Sequence, residues 1–177
     1  MLTLSLFRHT KSNWPDTDLG DFDRALAPRG EQAAPAMGAY MRSIDLSPEF
    51  VLCSPALRAV QTARLTLSEL PETPKIEFDE RLYHAGSDNL LAILREVSDS
   101  FESIMIIGHN PGLHVFALDL VDKSRADLVG AMSGKFPTGA LAVFSVDVQN
   151  WSEIETRQAT LKDFMTPKQL PKSMKQG

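Results

Sequence analysis

An arginine and a histidine stand side by side where the first apolar run of the chain ends: LTLSLF (2–7) is followed by Arg8 and His9. A cation at the end of a buried strand is costly unless an anion neutralises it. The pair therefore asks for a negative partner, either a local carboxylate such as Asp23 or a bound anion. Similar combinations recur twice. FVLCS (50–54) runs into PALR, which carries Arg58, and SIMIIG (103–108) runs into HNPG, which carries His109. Arg58 falls in the first turn of a predicted helix, capped by Ser54, where the macrodipole favours acidic residues. A bound anion would account for it; a solvated surface arginine is the plain alternative. In HNPG, Asn110 can cap and Pro111 fits the first helical turn, so backbone N–H groups and His109 face one anion site. Guanidinium groups offer planar donors matched to phosphate oxygens. A neutral imidazole among them is a competent nucleophile toward phosphorus. Two arginines, two histidines and a helix start describe a pocket for a phosphoryl group.

Such a pocket requires strands that end together. Short, continuous apolar runs at 2–7, 50–54, 75–78, 103–108 and 140–146 read as strands covered on both faces. Helical stretches lie between them, near 28–44, 56–69, 88–100 and 111–122. This alternation predicts a three-layer α/β/α sandwich around a mostly parallel central sheet, with ligands beyond the carboxyl ends of the strands. EIETRQATL (153–161) is more polar and suits an edge strand, while Gly20–Asp23 and Gly130–Gly139 read as loops. Residues 1–165 are expected to form a single domain, followed by a loosely packed tail, TPKQLPKSMKQG (166–177).

Composition narrows the classes. A chain of 177 residues with 43% apolar content can build one core without staples. Its formal net charge of −5 argues against nucleic acid as a partner. Cys53 is the lone cysteine, so no internal disulfide forms and a reducing compartment is expected. No export signal or bilayer-length apolar window is evident, which predicts a cytoplasmic protein with no membrane partner.

RHTKS, SPALRAVQTA and GHNPG, in that order and at these strand ends, resemble the motifs of branch 1 of the histidine phosphatase superfamily, the group with the phosphoglycerate mutases. The short chain, together with DFDRALAPRGEQAAPAMG (21–38), LYHAG (82–86) and FPTGALA (136–142), is similar to the SixA-type phosphohistidine phosphatases. The match spans roughly residues 2–145. The resemblance implies a phosphoglycerate mutase-like fold and a phosphatase that works without metal or cofactor. It implies that His9 is the nucleophile that becomes phosphorylated. Arg8, Arg58 and His109 would hold the phosphoryl oxygens, with Asn110 beside them. The second ring nitrogen of His9 then needs a hydrogen-bond partner to hold the tautomer. Thr10 stands where many relatives have glycine or alanine, and Ala25 where the subfamily often has proline. Larger relatives carry a glutamate general acid after the third strand; here Glu80, His84 and Asp88 all stay open for that role. An imidazole leaves phosphorus more readily than an alkoxide, so the short phosphohistidine enzymes can dispense with one.

Other motifs fail on spacing. Only four residues separate Cys53 from Arg58, one short of a cysteine-phosphatase loop. GAMSGKF (130–136) is too short for a nucleotide loop, and His109 and His114 are not four apart, so no zinc pairing arises. The expected substrate is phosphohistidine on a partner protein. A small phosphorylated metabolite is the alternative, and a non-catalytic phosphate-binding module is the rival from another class.

Overall fold

The computed structural model describes residues 1–14, 20–124 and 126–174. Among these, seven strands form one sheet: β1 (Leu2–Arg8), β2 (Phe50–Cys53), β3 (Lys75–Phe78), β4 (Ser103–Gly108), β5 (Val121–Ser124), β6 (Leu141–Val146) and β7 (Ala159–Met165). Their spatial order is β3-β2-β4-β1-β6-β7-β5. Every neighbouring pair is parallel except the two made by β6, which runs antiparallel to β1 and β7. Five helices complete the layers: α1 (Pro28–Ser43), α2 (Leu57–Leu67), α3 (Ser87–Arg95), α4 (Gly112–Leu120) and α5 (Ala126–Gly134). None of the described helices is long and apolar enough to cross a membrane.

Alternation along the strands divides the core in two. Leu4, Leu6, Ile104 and Ile106 point to one face, where they meet Leu94 of α3, Phe116 of α4 and Met132 of α5. Phe7, Met105, Ile107 and Cys53 point to the other, against Met37 and Met41 of α1 and Ala59 and Ala63 of α2. Successive strand residues face opposite sides, so a continuous apolar run is what a doubly covered sheet requires. The helices bury matching stripes, as at Leu113, Phe116, Ala117 and Leu120 of α4. The three-layer, mostly parallel reading is the architecture observed.

Three local expectations change. The 153–161 segment is not an edge strand: Trp151–Glu153 form a 3₁₀ turn, and β7 begins at Ala159 and lies inside the sheet. Its buried face is Ala159, Leu161 and Phe164, an apolar set displaced toward the C-terminus from the polar EIETRQ stretch. The edge beyond it is β5, a strand of four residues whose brevity suits an edge. The glycines at 130 and 134 suggest a loop, yet α5 runs through them because Met132 is fully buried. The tail is not loose throughout, since Leu170 packs into the core against α1; residues 175–177 lie outside the described residues.

Two glycines fix how the site-bearing segments meet. Gly139, at φ +76°, donates its N–H to the carbonyls of both Arg8 and His9, at 3.1 Å each. Gly112 opens α4 against the backbone at Ala85, so close that a Cβ would lie 1.8 Å from the Ala85 carbonyl oxygen. Replacing Gly112 with Ala must push LYHAG away from GHNPG, at a cost of about 2 kcal/mol. Urea unfolding checks this, and an unchanged midpoint would contradict the close approach.

Candidate active site

The sequence-predicted residues converge because three parallel strands stop in register. Arg8 at the end of β1 lies opposite Gly108 at the end of β4, and Cys53 of β2 lies opposite Ile107. His9, Ser54 and His109 are therefore the first residues beyond three adjacent strands. The Ser54 N–H bonds Ile107 O at 3.0 Å and the His9 N–H bonds Gly108 O at 3.1 Å, which carries the pairing one step past the strands. A cavity of about 410 Å³ opens there, and Arg8, His9, Arg58, His109 and Asn110 all line it. The His9 and His109 ring centroids are 5.1 Å apart.

His9 is buried, and its Nδ1 donates to the Thr10 carbonyl at 2.7 Å. A carbonyl only accepts, so in the neutral ring the proton sits on Nδ1 and the Nε2 lone pair is left free. Burial is the main cause that lowers its pKa from 6.5 to about 3, with His109, Arg58 and Arg8 adding to it against the opposing Thr10 hydrogen bond. The ring is neutral at physiological pH, as an attacking imidazole must be. Thr10 itself is fully buried: its N–H donates to Thr62 Oγ1 at 3.0 Å, and Thr62 donates onward to the Arg58 carbonyl at 2.7 Å. The threonine that departs from the usual motif thus ties the end of β1 to α2.

Arg58 sits in the first turn of α2 but is 3% exposed, so it is not a solvated surface group. An anion does balance it, and that anion belongs to the chain. The guanidinium donates to the Asp21 carbonyl and, at 2.9 Å, to its carboxylate. Tyr83 also donates to that carboxylate at 2.7 Å, and Arg24 pairs with it at 2.8 Å. The Tyr83 hydrogen bond is the largest cause holding Asp21 below the usual carboxylate range, with Arg58 and Arg24 contributing and burial opposing. The partner anticipated for Arg8, Asp23, is not the one used. Arg8 instead donates Nη1 to the Phe136 carbonyl at 2.9 Å, and burial followed by repulsion from Arg58 lowers its pKa.

His109 is also neutral: burial leads, Arg58, His84 and Arg8 assist against Asp21, and its pKa falls to about 4. Its Nε2 lies 2.7 Å from Ser54 Oγ, which accepts from the Ala56 N–H at 3.4 Å. The Ser54 hydroxyl thus ties the His109 ring to the start of α2. Ser54 serves His109 rather than capping α2, whose N-cap is Ala56. Asn110 does not cap α4 either; its Nδ2 donates to the Phe136 carbonyl at 2.8 Å and Pro111 holds the N-cap position. Among the described residues six buried side-chain polar atoms lack a partner, and five of them belong to residues lining this cavity. Four are nitrogens, on Arg8, Arg24, Arg58 and His109. Each unmet buried polar atom costs about 1–3 kcal/mol, and five of the residues that carry them surround one space, where guanidinium groups can give hydrogen bonds to an oxyanion.

Of the three general-acid candidates, His84 lines the cavity, at φ +58° and packed on the Tyr83 ring; Glu80 and Asp88 are exposed and do not line it. Asp21, Arg24, Tyr83 and the Phe136 carbonyl were not foreseen, for nothing local in the sequence links positions as distant as 21 and 58. Cys53 is fully buried, and burial pushes its thiol up to about 12, which agrees with setting aside a cysteine nucleophile.

The comparisons fit this geometry. The sequence profile of the histidine phosphatase superfamily (branch 1) matches residues 4–87. An uncharacterized protein of Mycobacterium leprae is 34% identical over 165 residues, covering 91% of this chain and 99% of its own. A crystal structure from Agrobacterium tumefaciens, carrying the name SixA phosphohistidine phosphatase, superposes with a TM-score of 0.80 at 26% identity, over 94% of this chain and 98% of that one. The protein histidine phosphatase SixA, solved with tungstate, shares the fold at a TM-score of 0.73 and 22% identity, over 96% and 100% of the two chains. In class the chain is a phosphatase with the phosphoglycerate mutase-like fold. It belongs to branch 1 of the histidine phosphatase superfamily and is SixA-like within it.

Protonation offers a direct check on the buried pair. Both rings take up a proton less readily in the folded chain than in the unfolded one, so acid works against the fold from pH 6.5 downward, toward about 4 for His109 and about 3 for His9. Nitrogen-15 NMR should show His9 and His109 neutral, with the His9 proton on Nδ1, from pH 8 to about 5.5. A midpoint near 6.5 for His9 would overturn the burial argument.

Proposed function

We propose that the chain removes phosphate from phosphohistidine on a partner protein, through a phosphorylated His9. Nε2 of His9 attacks phosphorus in line, forming a P–N bond as the bond to the leaving nitrogen breaks. Water then cleaves the new P–N bond, releasing inorganic phosphate and regenerating the neutral ring. Arg8, Arg58 and His109 stabilise the charge that spreads over the phosphoryl oxygens, the largest contribution in such chemistry. The observation that carries the mechanism is the arrangement around His9: Nδ1 held by Thr10 O, Nε2 free, and Arg8, Arg58 and His109 lining the same cavity.

The choice of phosphohistidine rests on the leaving group. The one carboxylate lining the cavity among the described residues is Asp21, and its three partners hold its pKa down, so of the foreseen acids only His84 is at hand and no carboxylic acid is. An imidazole departs without strong acid help, whereas an alkoxide leaves at a disadvantage of roughly 10²–10⁴. SixA relatives named for phosphohistidine support the same reading. A small phosphorylated metabolite is the second reading, because the cavity volume of about 410 Å³ is that of a small-molecule site.

Replacing His9 with Ala should lower aryl phosphate turnover by more than about a thousandfold, and rapid-quench labelling should place the phosphate on His9. Label on another residue, or equal activity in both proteins, would remove the mechanism. Release of inorganic phosphate from a phosphohistidine protein, set against a panel of sugar and glycerate phosphates, separates the two substrate readings. EDTA should leave activity intact, and strong inhibition would count against a metal-free mechanism.

A further inference from the structure

Beside the His9 cavity lies a second one of about 440 Å³, and Lys11 and Thr138 line both. Its walls come from the start of α1, the loop before β6 and the segment after β7, which bring Arg29, Lys135 and Lys168 together with Lys11. Four cations therefore border one hollow that no described carboxylate lines, in a chain whose net charge is −5. Among the described residues none of Lys11, Arg29 and Lys135 has an ion-pair partner. Lys11 is held between the two spaces: its carbonyl accepts the Ala27 N–H at 2.9 Å and its ammonium lies 5.5 Å from the centre of the Trp14 ring. Like charges brought to the walls of one hollow repel one another, and an anion in the space between Lys11, Arg29 and Lys135 would offset that repulsion.

We propose that this basic cavity is a subsite for a second anionic group on the molecule whose phosphoryl group enters the His9 cavity. The proposal rests on the phosphatase reading of that site, not on the identity of its substrate. The shared wall makes one ligand with two anions the fitting occupant: the phosphoryl oxygens meet Arg8, Arg58 and His109, while the other anion reaches Lys11, Arg29 and Lys135. A carboxylate beside a phosphohistidine and the second phosphate of a metabolite are two sources of that chemistry.

Charge reversal separates them. Arg29→Glu, Lys135→Glu and the double variant are compared with wild type on two substrate pairs. One pair is a chemically phosphorylated histidine peptide flanked by glutamates against the same peptide flanked by glutamines. The other is fructose 1,6-bisphosphate against fructose 6-phosphate. Turnover of p-nitrophenyl phosphate reports that each variant is folded. Wild type should prefer the second anion in at least one pair by about tenfold in kcat/KM, carried by KM, and the double variant should bring that ratio close to one. No preference in either pair, or a preference that survives the double variant, overturns the subsite. Phosphohistidine peptides turned over without regard to flanking charge, with no preference between the sugar phosphates, remove the subsite and leave the phosphohistidine reading intact. Preference confined to the bisphosphate, with both peptides inert, does the reverse.

Discussion

Three parallel strands ending in register are the constraint on which this molecule depends. The pairings of Phe7 and Arg8 with Ile107 and Gly108, and of Cys53 with Ile107, put the exits of β1, β4 and β2 on one line. A slip of one residue in any of these pairings would turn the side chains beyond it to the opposite face. Such a slip is opposed by the core, because Leu6 and Ile106 pack on one side of the sheet while Phe7 and Ile107 pack on the other. The hydrophobic pattern that stabilises the fold is thus also what aims His9 and His109. The loop before the antiparallel β6 adds the fourth wall, since it passes the end of β1 and delivers the Phe136 carbonyl and Gly139.

Positive charge is the second organising element. Arg8 and Arg58 are close enough for one to lower the pKa of the other, and both act with burial to keep the two imidazoles neutral. A site of this kind carries a standing preference for anions. Asp21 meets part of that preference at Arg58, and Tyr83 and Arg24 hold it in place. The remaining donors, among them the nitrogens of Arg8, Arg58 and His109, are held in geometry by hydrogen bonds made elsewhere on the same side chains. Preorganised donors of this sort need no rearrangement as charge develops in the transition state.

The acidic composition of the whole chain conceals how unevenly its charge is placed. Cations crowd the carboxyl edge of β1 and its neighbours, from the His9 cavity through Lys11 to Arg29 and Lys135. Against a surface of net negative charge, such a patch draws anionic ligands toward one edge of the sheet.

What could be read in the residues alone was the layered α/β fold and the four pocket side chains, because continuous apolar runs and the residues just after them are local signals. Helix and strand limits failed where local preference was overruled: glycine-rich α5 is kept helical by buried Met132, and β7 took its register from Leu161 and Phe164. Sequence by itself determined which chemistry the strand ends could perform, since that depends only on residue type and spacing from each run. The fold alone decided which carboxylate answers Arg58, which carbonyl holds the His9 proton, that Ser54 serves His109, and that a second basic hollow adjoins the first. Apart from the neighbouring His9 and Thr10, those contacts join positions distant in the chain, as Ser54 and His109 are, and the Arg8 bond to the Phe136 carbonyl reaches further still; no local pattern carries that information.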